Sequence, residues 1–408
     1  STGAAQATSN ALVFDAGSGF SVSPAVTVND TVIVQAGLTF DVDGVTISPG
    51  TGTPLMNFNG ASAAANVITV NSAYTSSISV KLTGSNGLTK AGPGKLVLSA
   101  DNSGLTGAVT LSAGTLRASS ANALGAGTLS IAGGTLELAS NNGVSFGRNT
   151  TVSADATIKS DRAAVDNGAG ATQTLATLSI GGQTLTIDRG GNVGSGTTGI
   201  TFGAVTLSGA PTFTVNTGSL LTLASVTGTA QNITVSGAGD TTVSGAIATT
   251  SGSLTKSGNG ILTLNGANTF TGGLTLNAGT VSLGNTAALN STAGSENTVT
   301  FGSGSTGTLS LNGNNATIAG LNTNATPGTT YIQNGSASTN ATLTIGNSTN
   351  ANSTFAGVIQ NGSTGTLALN KAGTGTLTLT NANTYTGGTT LNAGTIKLSG
   401  SGALAGGT

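Results

Sequence analysis

Gly258-Asn259-Gly260-Ile261-Leu262-Thr263-Leu264 leads through Asn265-Gly266 to Ala267-Asn268-Thr269-Phe270-Thr271-Gly272-Gly273, then to Leu274-Thr275-Leu276-Asn277-Ala278-Gly279-Thr280-Val281-Ser282-Leu283. The same text returns 115 residues later, without a gap, as Gly373-Thr374-Gly375-Thr376-Leu377-Thr378-Leu379, Ala382-Asn383-Thr384-Tyr385-Thr386-Gly387-Gly388 and Thr389-Thr390-Leu391-Asn392-Ala393-Gly394-Thr395-Ile396-Lys397-Leu398. Of the 30 positions from Leu254 to Leu283, 20 are identical in 369–398. A more worn copy occupies 88–117, with one extra residue between Asn102 and Leu111. Within each copy, leucines alternate with threonines, the period of a strand with one face inward. Asn-Gly, Gly-Gly and Asn-Ala-Gly-Thr interrupt the strands at places suited to tight turns. No stretch has sustained 3.6-residue periodicity; Asn122-Ala123-Leu124 and Ala287-Ala288-Leu289 are at most local bends.

Because the repeated text includes the turns, each unit is expected to stack on a copy of itself. Inward residues are small and uniform, and aromatics make up only 3% of the chain, which suits a narrow stacked core better than a thick sandwich. The reading is an all-β chain, a parallel β-solenoid built from short repeated strands, continuous over 1–408 and least regular over 20–80. At roughly 20–25 residues per coil this gives about 17–20 coils. Asn102, Asn268 and Asn383, with Asn277 and Asn392, recur at turns, where amides of successive coils are expected to form ladders.

The string Gly-x-Leu-Thr-Leu-x-x-Ala-Asn-Thr-(Phe/Tyr)-Thr-Gly-Gly-x-Thr-Leu-Asn-Ala-Gly-Thr, at 260–280 and 375–395, closely resembles the autotransporter-associated β-strand repeat, also called the passenger-associated transport repeat. The resemblance implies a right-handed parallel β-helix in an exported, surface-displayed bacterial protein, with the repeat supporting folding during export. A complete autotransporter is expected to carry a signal peptide and a C-terminal barrel as well, and neither is expected within the text of 1–408.

Composition narrows the function. Of 408 residues only 6% are charged, with net charge −1, no His and no Cys. Eleven scattered cations do not neutralise a run of phosphates, so nucleic acid is not an expected partner. No apolar run approaches the length of a membrane helix, and no membrane insertion of this segment is expected. Without His or Cys there is no Ser-His-Asp triad and no thiolate zinc site. The expectation is a protein that is not an enzyme, with no cofactor and no metal. Two carboxylate groupings are the candidates for an exception. Asp41 and Asp43 are expected to share a strand face that could hold Ca²⁺. The patch Lys159, Asp161, Arg162, Asp166 is a lyase-like possibility. The simpler reading, a charged turn and a solvated strand end, is preferred for both. Lys90, Lys256 and Lys371 occupy one repeat position and read as solvent-facing gatekeepers, so Lys256→Ala is expected to stay within about 0.5 kcal/mol. Phe270 and Tyr385 read as covers for a coil corner. An ice-binding array on Thr263, Thr275, Thr378 and Thr390 needs one regular Thr-x-Thr face on every coil, and their spacing is too irregular for that.

The text after Leu398, through Leu404, is best continued by the text around Ala11-Leu12-Val13-Phe14. Ala11, Leu12, Val13, Phe14, Ile396, Leu398 and Leu404 are therefore the expected head-to-tail contact between copies, or between neighbouring repeats of a longer chain. The functional expectation is a structural protomer or segment of an extracellular bacterial fibre or surface layer, secreted or on the cell surface. The alternative is an adhesin passenger rod whose binding tip lies outside this segment. The expected partners are further copies and, secondarily, cell-surface or matrix polysaccharide.

Overall fold

A computed structural model describes residues 12–14, 25–166, 168–346 and 351–405, of which the strand Leu12–Phe14 is described by its backbone alone. Among the described residues there is no helix, and parallel strands stack as a β-solenoid of about 17 turns. Contacts cluster into two compact units, Ser1–Gly203 and Ala204–Thr408.

In the first unit one column of strands runs Ala25–Val28, Thr46–Pro49, Thr75–Ile78, Lys95–Leu98, Thr115–Ala118, Thr135–Ala139, Ala156–Asp161 and Thr184–Arg189, each parallel to the next. A second column holds Leu12–Phe14, Leu38–Phe40, Val67–Val70, Leu88–Ala91, Val109–Leu111 and Leu129–Ile131. A third, short column, Val32–Val34, Leu55–Phe58 and Lys81–Thr83, closes the early coils. The described residues of 20–80 also stack as parallel strands. Coil length varies: Thr115 pairs with Thr135, whereas Thr46, within 20–80, pairs with Ser77.

The second unit repeats the plan. Thr212–Val215, Ile233–Ser236, Leu254–Lys256, Leu274–Leu276, Thr298–Phe301 and Gly320–Thr323 form one parallel column. Asp240–Val243, Ile261–Leu264, Thr280–Leu283 and Thr308–Ser310 form part of another. Inward residues follow the period-two pattern: Leu262, Leu264, Leu274, Leu276, Val281 and Leu283 are all buried, as are Phe270 and Tyr385 at the coil corners. Phe301 and Phe355 pack with ring centroids 5.5 Å apart. Of the four threonines weighed for an ice face, Thr275 stands in a register column with Thr255 and Thr300, Thr263 abuts Ser282, Thr378 abuts Lys397, and Thr390 abuts Asn370. They do not form one face.

The turns of the repeat fit against one another through glycine. Gly258 has φ +77°, and a Cβ there would meet the Gly237 carbonyl oxygen at 2.4 Å. Gly279, one coil on, has φ +70° and would meet the Gly258 oxygen at 2.4 Å. Left-handed backbone and close approach together admit only glycine.

Candidate functional site

Two groups of polar side chains stand out among the described residues: one inside the repeat copies and one on a sheet face of the first unit; buried amides such as Asn66 and Asn334 lie outside both.

Lys90, Lys256 and Lys371 point inward, contrary to the solvent-facing expectation, and none is more than 2% exposed. In Leu88-Thr89-Lys90 and Leu254-Thr255-Lys256, lysine has the same strand parity as the buried leucine two residues earlier. Lys90 aligns between Ile68 and Leu111, Lys256 between Val235 and Leu276, Lys371 between Ile345 and Leu391. The aliphatic stem fills the core column while the ammonium turns into the glycine turn. Lys90 Nζ donates to the carbonyls of Ala91 (2.8 Å), Gly92 (2.9 Å) and Ala113 (3.1 Å). Lys256 Nζ donates to Ser257 (3.1 Å) and Gly258 (2.7 Å), and Lys371 Nζ to Gly373. Burial pulls Lys90 and Lys256 down to about 8, the latter against an opposing pull from Asp240, and lowers Lys371 as well.

Twelve residues after each lysine stands a buried asparagine. Its Oδ1 accepts from a backbone N–H of the preceding coil: Leu82 to Asn102 (2.9 Å), Ile247 to Asn268 (2.7 Å), Ile359 to Asn383 (2.8 Å). Its Nδ2 donates to a carbonyl of the following coil: Ala123 (2.8 Å), Ala288 (2.7 Å), Ala403 (2.8 Å). These amides therefore staple backbone to backbone across three coils; they do not bond one another as a ladder. An amide ladder does occur on the outer face, where Asn392 donates to Asn370 at 2.9 Å.

In the first unit the outward positions Val97, Arg117, Glu137, Lys159 and Asp188 are in register on successive coils. Opposite charges alternate up this column. Arg117, only 6% exposed, pairs with Glu137 at 3.1 Å and with Asp161, and its guanidinium also donates to the Arg162 carbonyl. Lys95 reaches Glu137 at 2.6 Å, and Lys159 reaches Asp188 at 3.3 Å. Asp161 also accepts the Asn192 N–H at 2.9 Å. Arg162 grips Asp166 through two bonds, and those bonds hold the Asp166 carboxyl down to about 2. Every member of the patch Lys159, Asp161, Arg162, Asp166 is thus matched within the protein. Beside them lies an open groove of about 360 Å³, lined in part by Lys95, Arg117, Glu137, Asp161 and Asn192. This network escaped the sequence reading, although Arg117 and Glu137 hold one repeat position with opposite charge.

Asp41 and Asp43 lie in the turn after Leu38–Phe40, not on a strand face, and each has its own partner: Asn71 donates to Asp41, the Thr75 N–H to Asp43. Ala11 lies outside the described residues; Leu12, Val13 and Phe14 form a strand parallel to Leu38–Phe40. Leu398 is 45% exposed, whereas its counterpart one repeat earlier, Leu283, is 1% exposed. Ile396 and Leu404 are half-buried.

A family model described as passenger-associated-transport-repeat matches residues 88–118, 254–283 and 369–398. The chain carries three copies of this repeat. Together the passenger-associated transport repeats cover under a quarter of the sequence. Each copy contains one inward lysine and one stapling asparagine. No curated protein and no solved structure matches the chain.

Proposed function

We propose that this chain is a non-catalytic structural stretch of an exported bacterial surface protein, acting as protomer or segment of an extracellular fibre or surface layer. The observation that carries the reading is the stack itself: the matched repeat copies lie in a solenoid of parallel strands, and the inward leucines of one coil, Leu276 and Leu283, are covered by the coil that follows. A contact in which the coil bearing Ile396, Leu398 and Leu404 meets text beginning near Ala11–Phe14, of another copy or of a neighbouring repeat, would bury apolar side chains and continue the backbone ladder in the same way. Such a head-to-tail contact is heterologous, so it propagates into filaments instead of closing into dimers. The test fuses a small charged domain after Thr408 and compares assembly by electron microscopy. Filaments from the uncapped chain and none from the capped one are expected. Equal polymerisation of both, or an uncapped chain that stays monomeric at high concentration, sinks the reading.

A second reading rests on the repeat matches: a passenger rod that carries an adhesive tip elsewhere in the same protein. Under either reading a cell-surface or matrix polysaccharide would find its polar docking place in the groove at Lys95 and Glu137. Loss of glycan-array binding in Lys95→Ala is the expected sign, and an unchanged array pattern removes that partner.

A further inference from the structure

The hydrophobic text of this chain is a poor guide to which coil should lie on which. Leu-x-Leu recurs inward at Leu96/Leu98, Leu136/Leu138, Leu262/Leu264, Leu274/Leu276 and Leu377/Leu379, all buried. A stack that omitted one coil would keep leucine on leucine and lose little apolar burial. Weakly specified registers of this kind slip.

The three repeat copies break the degeneracy in the same way. The lysine ammonium needs a glycine turn beside it: a Cβ on Gly279 would stand 2.8 Å from Lys256 Nζ, and one on Gly346 would stand 3.4 Å from Lys371 Nζ. The asparagine needs a free N–H before it and a free carbonyl after it. That carbonyl always belongs to an Ala-Leu pair, Ala123-Leu124, Ala288-Leu289 or Ala403-Leu404, beginning five residues past the matched repeat, at 118, 283 and 398. The backbone N–H of the asparagine joins the same segment, donating to Asn122 (3.2 Å), Ala287 (3.0 Å) and Ala403 (3.3 Å). The physical unit is therefore longer than the family match and includes the Ala-Leu turn of the coil that follows.

We propose that each repeat copy, from its lysine to its Ala-Leu turn, is a register lock: the native order of three successive coils satisfies its buried asparagine on both sides, while the ammonium, bonded mostly within its own turn, needs a glycine turn beside it, and a stack that skips a coil leaves the asparagine without its partners. An unmatched buried polar group costs more than a matched one gains, so the lock acts mainly by penalising wrong stacks. Buried polar residues in coiled coils fix register by the same asymmetry. This inference stands independently of the fibre reading.

The chain has no cysteine, so engineered pairs report without background. Thr255 and Thr275 are Cα partners on adjacent coils, and Thr234 precedes Thr255 in the same column. T255C/T275C therefore closes a disulfide in the native stack, and T234C/T275C closes only if one coil is skipped. Both pairs are refolded from denaturant in the full chain, with and without Lys256→Leu plus Asn268→Leu. In the unsubstituted background only the native pair is expected to close. In the leucine background the skipped-coil pair should close at least about tenfold more often than before. If the leucine background still closes only the native pair, or if the unsubstituted chain closes both equally, the proposal is wrong. Should the double variant fail to form strands at all, Asn268→Leu alone, which leaves both Lys256 bonds in place, is tested by the same pairs, and an unchanged ratio there also overturns it.

Discussion

An ammonium group among leucines has two separable parts, and substitutions at Lys256 distinguish them. Lys256→Ala removes the stem from between Val235 and Leu276 and strips the Ser257 and Gly258 carbonyls of their donor. We expect a loss of about 2–3 kcal/mol in denaturant titration, well above the exposed-residue value the sequence suggested. Lys256→Met keeps the stem and should fall within about 1.5 kcal/mol of the parent. The titration has a definite sign. Lys90 and Lys256 sit at about 8 in the folded chain against an ordinary 10.5, with only Asp240 opposing the shift at Lys256. Below pH 8 the folded state bears the cost of two buried charges. Between about 8 and 10.5 it gives up protons that the unfolded chain keeps, so stability rises with pH. Tyr385, whose phenol is raised by burial, acts in the opposite direction from about 10 upward. Urea midpoints should therefore rise from pH 7.5 to 9.5 in the parent and rise less in K90M/K256M, where Lys371 alone of the three is left lowered by burial. Thr241 offers a contrast: it is buried between Leu221 and Leu262, and its hydroxyl has no partner. Thr241→Val should raise stability by about 1 kcal/mol, and a lower urea midpoint would contradict that. The inward lysines were legible in principle, because Leu254-Thr255-Lys256 gives lysine the parity of leucine. The general rule that lysine faces water hid it, since that rule ignores a four-carbon stem and a ring of turn carbonyls.

At the scale of the strand and its turn, glycine and the charged column make separate demands. Gly182 has open space for a Cβ and no left-handed φ; Gly52 has open space at φ +88°; Gly258 has both φ +77° and a carbonyl oxygen at 2.4 Å. Replacement by alanine should cost within about 0.5 kcal/mol at Gly182, about 1–2 at Gly52 and more at Gly258. Thermal midpoints that failed to follow this order would show that the turns relax freely. Arg117 serves the charged column as its central cation. Arg117→Ala leaves Asp161 buried with only the Asn192 amide as partner and should cost about 3–5 kcal/mol, nearly independent of salt. Lys159→Ala, at a half-buried pair with Asp188 that solvent still reaches, should cost about 0–1 kcal/mol and be salt-sensitive. Strand and turn positions were readable from alternation and glycine spacing. The column was not, because register between coils depends on their length, and Thr135 to Thr157 differs from Thr115 to Thr135.

Within each unit, a coil touches chiefly its neighbours, so stability accumulates through nearest-neighbour interfaces instead of a central core. Leu264→Asp and Leu379→Asp place an unpaired charge inside such an interface, and each should lower stability by several kcal/mol. A change no larger than that of Lys159→Ala would mean that apolar stacking does not carry the fold. The solenoid class was legible from one 30-residue self-match, since turns repeat together only when coils stack. Coil number was nearly legible; the long coil from Thr46 to Ser77 showed only as the low regularity of 20–80, because an added stacked strand such as Leu55–Phe58 leaves inward alternation unchanged. The inward lysines also bear on proteolysis. Trypsin recognises only Lys and Arg, of which the chain has 11, and Lys90, Arg117, Lys256 and Lys371 are buried. Cleavage after Lys256 requires its turn and the coils on either side to open, so its rate reports how often that part of the stack breathes. The repeat thereby places three protease-sensitive bonds where they are exposed only by local unfolding, and resistance to digestion becomes a direct measure of how tightly each copy is closed.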